Sequence, residues 1–347
     1  MKIAIIGAGL FGCSIAIKIK EKYKKYKVTI FEKNSKILYS ASGKNQFRCH
    51  MGYHYPRSTK TISECKSSTY QFEKYYKDCF IDSENYYAIS NKNSKVSFNE
   101  YLDILEKNKL PFKIQPNKIF NYKNIEASIS VKEKIIDINK VRKATQNYFK
   151  KFKINLKLNY KIDLTKSFLN NYDIVYLATY DNNNNNTKNL ITKKEKYFYQ
   201  LVEKIIVKTP KPFHKFSAVV LDGPFMCIDP YSLKGHSILG NVKKSILLQK
   251  NQVFNNIYDT NLSQLNKYLI KYKSNSKFKN IIEHMSKYFN YTENIKYYGS
   301  FYVIRCTRKN KNDERLTKIT NNNNLIQVFS GKWVNCFNTA SKVLKFL

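Results

Sequence analysis

Gly7, Gly9 and Gly12 stand at G-x-G-x-x-G spacing, between the β-rich run KIAII and a segment of helical character from Leu10 to Tyr23. Each glycine has a task. The first permits a tight turn, the second lets backbone approach a diphosphate, and the third lets helix and strand pack closely. The helix start then offers free N–H groups and the positive end of its dipole to an anion. Ala16 keeps the helix near the sheet. A second strand, KVTIFE, ends in Glu32, which is placed to accept hydrogen bonds from an adenosine ribose and disfavours a ribose 2′-phosphate. Strand, turn, helix, strand and acid in this order distinguish a dinucleotide site from a mere glycine-rich turn. NAD and FAD use the same geometry, so spacing leaves the choice between them open.

The choice comes from ASGKNQFRCHMGYHYPRS, residues 41–58. It resembles the S-x-x-N-x-x-x-x-H-x-G-like stretch that follows the second strand in FAD-dependent oxidoreductases of the D-amino-acid-oxidase type (the DAO family, with glycine, sarcosine and 2-hydroxyglutarate oxidases). Ser42, Asn45, His50 and Gly52 are the matching positions. The resemblance implies that this stretch passes the flavin's diphosphate and ribityl chain and then approaches the ring. YDIVYLATY is similar to the family's strand ending in an A-T-G turn on the adenine side, with Thr179 in the turn and Tyr180 where glycine is usual. LDGPFMCIDPY, the strand ending near Arg305, and VFSGKWVNCFNTASKV resemble the substrate-domain strands and the flavin-facing C-terminal segment, which carries Gly331 and Lys332.

What the resemblance implies is removal of hydride from a carbon bearing an amine or hydroxyl, and its delivery to flavin N5. The substrate is then a small, anionic compound of the amino-acid or 2-hydroxy-acid type, and the acceptor is O2 or another oxidant. A flavin does the hard chemistry and the protein supplies orientation and electrostatics. Lys332 is the candidate positive group near the ring. Arg48 and Arg305 are candidates for a bidentate carboxylate clamp, with a structural ion pair or a diphosphate contact as the alternatives. His50 and His54 titrate near neutral pH and are candidate acid–base groups. No carboxylate accompanies them at metal-ligand spacing, so no metal is expected. Tyr53, Tyr55, Tyr297 and Tyr298 are candidate cavity walls. Cys49 and Cys336 are candidates for a covalent flavin link, beside the alternative of inert buried thiols.

These residues need elements to hold them. Ser58 is placed to cap a helix running to about Cys79. ENYYAIS, PFKIQ, INLKLNYKI and YDIVYLAT read as strands, FNEYLDILEKN and residues 138–151 as helices, and 193–245 as mostly strands. Two helices are expected over roughly 261–289, then strand IKYYGSFYVIRC, strand LIQVFS and a terminal helix. The expected fold is α/β (α+β overall): a Rossmann-type FAD-binding domain from residues 1–84, 130–182 and 298–347. A largely antiparallel β substrate domain, 85–129 and 183–297, is inserted in it.

The chain's 347 residues suit two domains, and 42% hydrophobic with 15% aromatic residues suits a packed core rather than a disordered chain. The net charge of +37 points toward nucleic acid, yet Lys supplies 56 of the 62 basic residues and is spread evenly with Asn. Phosphate and base recognition favours Arg. The charge therefore reads as composition, and nucleic acid is not an expected partner. Seven cysteines without a C-x-x-C fit reduced thiols in the cytoplasm. No apolar run is long enough for a transmembrane helix. The expectation is an FAD-dependent oxidoreductase; the alternatives are a flavoprotein acting on tRNA or other nucleic acid, and a non-catalytic FAD-binding protein.

Overall fold

The computed structural model describes residues 1–187, 190–191, 196–223, 226–250, 276–308 and 314–347. The apolar run of β1 (Lys2–Ile6) is buried on both faces, as a central parallel strand requires. It pairs in parallel with β2 (Lys27–Phe31) on one side and Ile174–Leu177 on the other. Across this sheet lie Lys318–Asn322, Leu325–Phe329, Ile174–Leu177, β1, β2 and Asn155–Lys157, all parallel save the first. Helix α1 (Leu10–Lys22) buries nearly every residue from Leu10 to Ile17, because it is wedged between the sheet and other helices. Its first turn carries no acid and its last carries Lys20 and Lys22, the polarity that complements the dipole and leaves the start open to an anion.

The second sheet has nine strands and is mostly antiparallel. The long strand Tyr197–Lys208 pairs with Lys296–Arg308 along one edge; on the other edge its two halves are taken by Ile246–Lys250 and His236–Asn241. Met226–Pro230, Phe216–Leu221, Glu84–Ser90, Ile125–Val131 and Phe112–Ile114 continue the sheet. The helix Phe278–Met285 packs on one face, and Phe98–Lys107, opened by a Ser97–Glu100 capping box, packs on the other. A small sheet of Arg48–Cys49, Lys134–Ile136 and Phe80–Ile81 lies where the two units meet. Helix α2 (Thr59–Tyr76) starts at Ser58, whose hydroxyl accepts from the Thr61 N–H at 3.3 Å.

Two expectations change, and part of a third lies outside the described residues. The strand Lys296–Arg308 lies wholly in the second sheet, so residues from 298 to 308 part from the nucleotide unit: their ladder partner, the twelve-residue strand Tyr197–Lys208, is there. INLKLNYKI shortens to Asn155–Lys157, at the sheet's edge, where only one neighbour holds it. Of the two helices expected over 261–289, the second is Phe278–Met285, and the first falls outside the described residues.

Candidate active site

One cavity of about 1100 Å³ runs from the tips of the first sheet to the face of the second. It is larger than a typical small-ligand pocket of about 300–1,000 Å³. At its first end, Gly7 turns with φ +101°, a conformation that favours glycine. A Cβ on Gly12 would lie 1.9 Å from the Gly7 carbonyl oxygen, so this glycine is demanded by helix–strand contact. Gly9 is different: a Cβ there would meet only the Ser42 hydroxyl, at 3.1 Å. It faces the cavity. Ser42 accepts the Leu10 N–H at 3.0 Å, joining the loop to the start of α1. Glu32 is buried, and its carboxylate accepts the Ala8 N–H at 2.8 Å and the Asn34 N–H at 2.9 Å, which fixes it at the cavity wall.

The turn after Ile174–Leu177 holds Thr179, whose N–H and hydroxyl both donate to the buried Asn183 Oδ1, at 3.0 and 2.8 Å. Tyr180 adopts φ +56°. Its ring stacks on Phe329, and its hydroxyl donates to the Cys306 carbonyl at 2.6 Å while accepting the Cys306 N–H at 2.9 Å. A left-handed turn that usually calls for glycine is here held by contacts to another strand. Asn182, Asn185 and Asn186 line the cavity beside it. In the sequence this asparagine run reads as a polar loop, and its spacing gives no sign that Asn183 is a core hydrogen-bonding hub.

At the other end, His50, His54, Lys204, Arg305, Gly331 and Lys332 line the wall. The two imidazoles lie 5.4 Å apart, and the Lys332 ammonium sits 4.6 Å from the Tyr55 ring. Burial, then the positive charge of Lys332, push both histidines well below their ordinary value, so both are neutral at physiological pH. Burial brings Lys332 down to about 8 and, with Arg315, brings Arg305 to about 10. A Cβ on Gly331 would lie 1.9 Å from the Arg315 carbonyl oxygen, so the Lys332 turn is pressed against the chain before it.

Arg48 departs from the clamp expected of it. Its guanidinium is 1% exposed and donates to Glu133 at 3.2 Å, to Ser217 at 2.7 Å and to Asp229. Burial pulls its pKa down, but Asp229, Tyr87 and Glu133 outweigh that and hold it raised. Both carboxylates come from the region of the second sheet, so this ion cluster welds the loop carrying His50 to that sheet. Glu133 also accepts the Met51 N–H at 2.7 Å and the Tyr87 hydroxyl at 2.5 Å. Asn45, too, spends its amide on its own loop, donating to the Ala41 and Ser42 carbonyls and accepting the Phe47 N–H. Gly52, with φ +122°, packs against Ile62 of α2, where a Cβ would come within 2.8 Å, rather than lining the cavity. The lining tyrosines are Tyr39, Tyr160, Tyr180 and Tyr302, not Tyr53, Tyr55, Tyr297 and Tyr298. Cys49 and Cys336 are fully buried away from the wall, with burial pushing the Cys336 thiol up to about 12.

Two lining cations, Lys44 and Lys204, carry no mark in the sequence among so many lysines. Lys44 is buried under the ring of Tyr39, and burial lowers it to about 8. Lys204 enters from the second sheet, and burial lowers it as well. The wall therefore fits a flavin dinucleotide on its own geometry: a glycine facing open space, an acid-free helix start, a pinned carboxylate at one end and buried or half-buried cations along the length. Among the described residues, no group of three or more His, Cys, Asp or Glu is placed to hold a metal ion, and no helix is long and apolar enough to cross a membrane.

Residues 2–118 match the family model of FAD dependent oxidoreductases (DAO), which resolves the nucleotide left open by spacing as FAD. The FAD-dependent monooxygenase FPY4 of Fusarium mangiferae is 30% identical over 141 residues, 40% of this chain and 38% of that protein. The matched part thus spans less than half of this curated relative. The fold as a whole is that of L-proline dehydrogenase from P. horikoshii (TM-score 0.73, 13% identity, 99% of this chain and 92% of the other). Glycine oxidase from Geobacillus kaustophilus is similar at TM-score 0.72, with 12% identity and coverage of 99% and 93%.

Proposed function

We propose that the chain is an FAD-dependent oxidoreductase that oxidises a small anionic substrate at a carbon bearing an amine or hydroxyl. One observation carries the reading: a single cavity joins the Gly9–Glu32 cradle to a chamber walled by neutral imidazoles and half-buried cations. Bound FAD supplies the hydride acceptor. The chain's residues do the rest. The Gly7–Gly12 turn and the start of α1 hold the diphosphate, and Glu32 holds the ribose. Among the described residues the Arg305 guanidinium has neutral partners, Gln200 at 2.7 Å and the Val242 carbonyl at 3.4 Å, which leaves its charge for a substrate carboxylate. His50, buried, and His54, half-buried, are both neutral and able to accept the proton that leaves the substrate's amine or hydroxyl. Lys332 sets a positive charge at the chamber where negative charge develops. The second sheet and the welded loop wall this end of the cavity.

The 30% identity to an FAD-dependent monooxygenase favours oxygen as the acceptor. The test is anaerobic mixing of the yellow protein with amino acids, 2-hydroxy acids and sugar acids, read by bleaching of the flavin, followed by admission of oxygen. Bleaching by an anionic member and recolouring in air is the expected result. A yellow protein that no member bleaches would overturn the catalytic reading. Peroxide release against oxygen incorporation then separates oxidase from monooxygenase.

A further inference from the structure

The second sheet carries two cations into the cavity from neighbouring strands. Lys204 stands opposite Phe301 and Arg305 opposite Gln200, so their backbones are four residues apart, about 13 Å at about 3.3 Å per residue. Between them on the same face, Val202 and Val303 pair with each other and line the cavity. The Lys204 ammonium donates to Gln46 Oε1 at 3.2 Å, and the Gln46 amide is in turn anchored on the Ile238 carbonyl at 2.8 Å. A Cβ on Gly240 would come within 2.6 Å of Gln46 Oε1, so the glycine makes room for this orientation. Among the described residues no carboxylate ion-pairs with Lys204 or Arg305. An ammonium has three donors, and among the described residues one is used, on a neutral amide. Lys204 is half-buried, and holding such a charge partly out of water is costly unless an anion compensates it.

We infer that Lys204 anchors a second anionic group of the substrate, so that the chamber is shaped for a small dianion with a short aliphatic middle. Arg305 holds one end, Lys204 the other, and Val202 and Val303 face the carbons between. This rests on the function proposed above and names its substrate class. The second group is a carboxylate or a phosphate, since either accepts hydrogen bonds from an ammonium.

The test uses the FAD-loaded full chain and reads binding from the perturbed visible spectrum, not from turnover. The probes are butyrate, glutarate and 2-phosphoglycolate: one monoanion, a dicarboxylate and a phosphorylated carboxylate. At least one of the latter two is expected to bind about tenfold to a hundredfold tighter than butyrate, the worth of one charge-assisted contact. Which of them does so names the second group. Lys204→Met should abolish that preference while butyrate binds as before, and Lys204→Arg should keep it. Equal binding of butyrate and both dianions, or a preference that survives Lys204→Met, would overturn the inference while leaving the proposed function standing. Should the Met variant fail to fold, the ratio in the unaltered protein decides. Yellow protein that binds no anion would sink the anionic-substrate reading itself.

Discussion

Lys332 shows how a single burial converts composition into chemistry. It is one of 56 lysines, but its position lowers it to about 8, against an ordinary 10.5. It is charged below that pH and neutral above it. Anion affinity and the rate of flavin reduction should therefore fall as pH rises through about 8, and Lys332→Met should flatten the profile. For stability the sign is opposite. The unfolded chain holds this proton up to 10.5 and the folded chain does not, so this group's contribution to stability rises with pH between about 8 and 10.5. Arg305→Lys should raise KM for a carboxylate substrate about tenfold or more, with flavin content unchanged, because a point charge replaces a planar fork. Flavin loss in that variant would assign the residue to the cofactor instead. Arg48 predicts a different failure. Arg48→Met leaves Glu133 and Asp229 buried without their cation, and about 3–5 kcal/mol of stability should go, seen as a lowered melting temperature.

The turns carry the next scale. Gly9 and Gly12 are equally prominent in the sequence, yet their surroundings separate them. Gly9→Val should leave a folded, colourless protein, since the added side chain meets only Ser42 and the space kept for the cofactor. Gly12→Ala should fail at folding, since its Cβ would overlap the Gly7 carbonyl. Circular dichroism beside the flavin spectrum separates the two outcomes; a yellow Gly9→Val protein would count against the cradle. Tyr180→Phe removes both hydrogen bonds to Cys306 and should cost about 1–3 kcal/mol by thermal unfolding. The helices and strands with strong local signals are legible in the sequence: Glu84–Ser90 falls on ENYYAIS, and the Ser58 and Ser97 caps open their helices. The edge strand Asn155–Lys157 is shorter than its pattern suggests, because alternation continues past the point where a partner ends.

For the whole molecule, the charge of +37 is a field more than a site. If it is compositional, RNA binding should be weak and vanish at physiological salt; tight binding that persists there would revive the nucleic-acid alternative. The field still raises the local concentration of small anions, in keeping with a chamber lined by Lys204, Arg305 and Lys332. Two sheets with separate cores meet across the small sheet of Arg48–Cys49, and the cavity lies along that seam. Its two ends are built by segments some 300 residues apart in the chain, Gly7 to Glu32 and Arg305 to Lys332.

The turn, helix start and acid of the proposed nucleotide cradle were legible in the sequence alone, because they act through backbone spacing over a short stretch. His50, Arg305 and Lys332 were recognisable as candidates for the same reason: rare or specially placed types stand out locally. What only tertiary structure decided was partnership. Arg48 is consumed by Glu133 and Asp229, Asn183 becomes a buried hub, and Lys204 has, among the described residues, one neutral amide. Burial and pairing are properties of neighbours distant in the chain, and in a sequence so rich in lysine and asparagine no local pattern marks which copies will be enclosed.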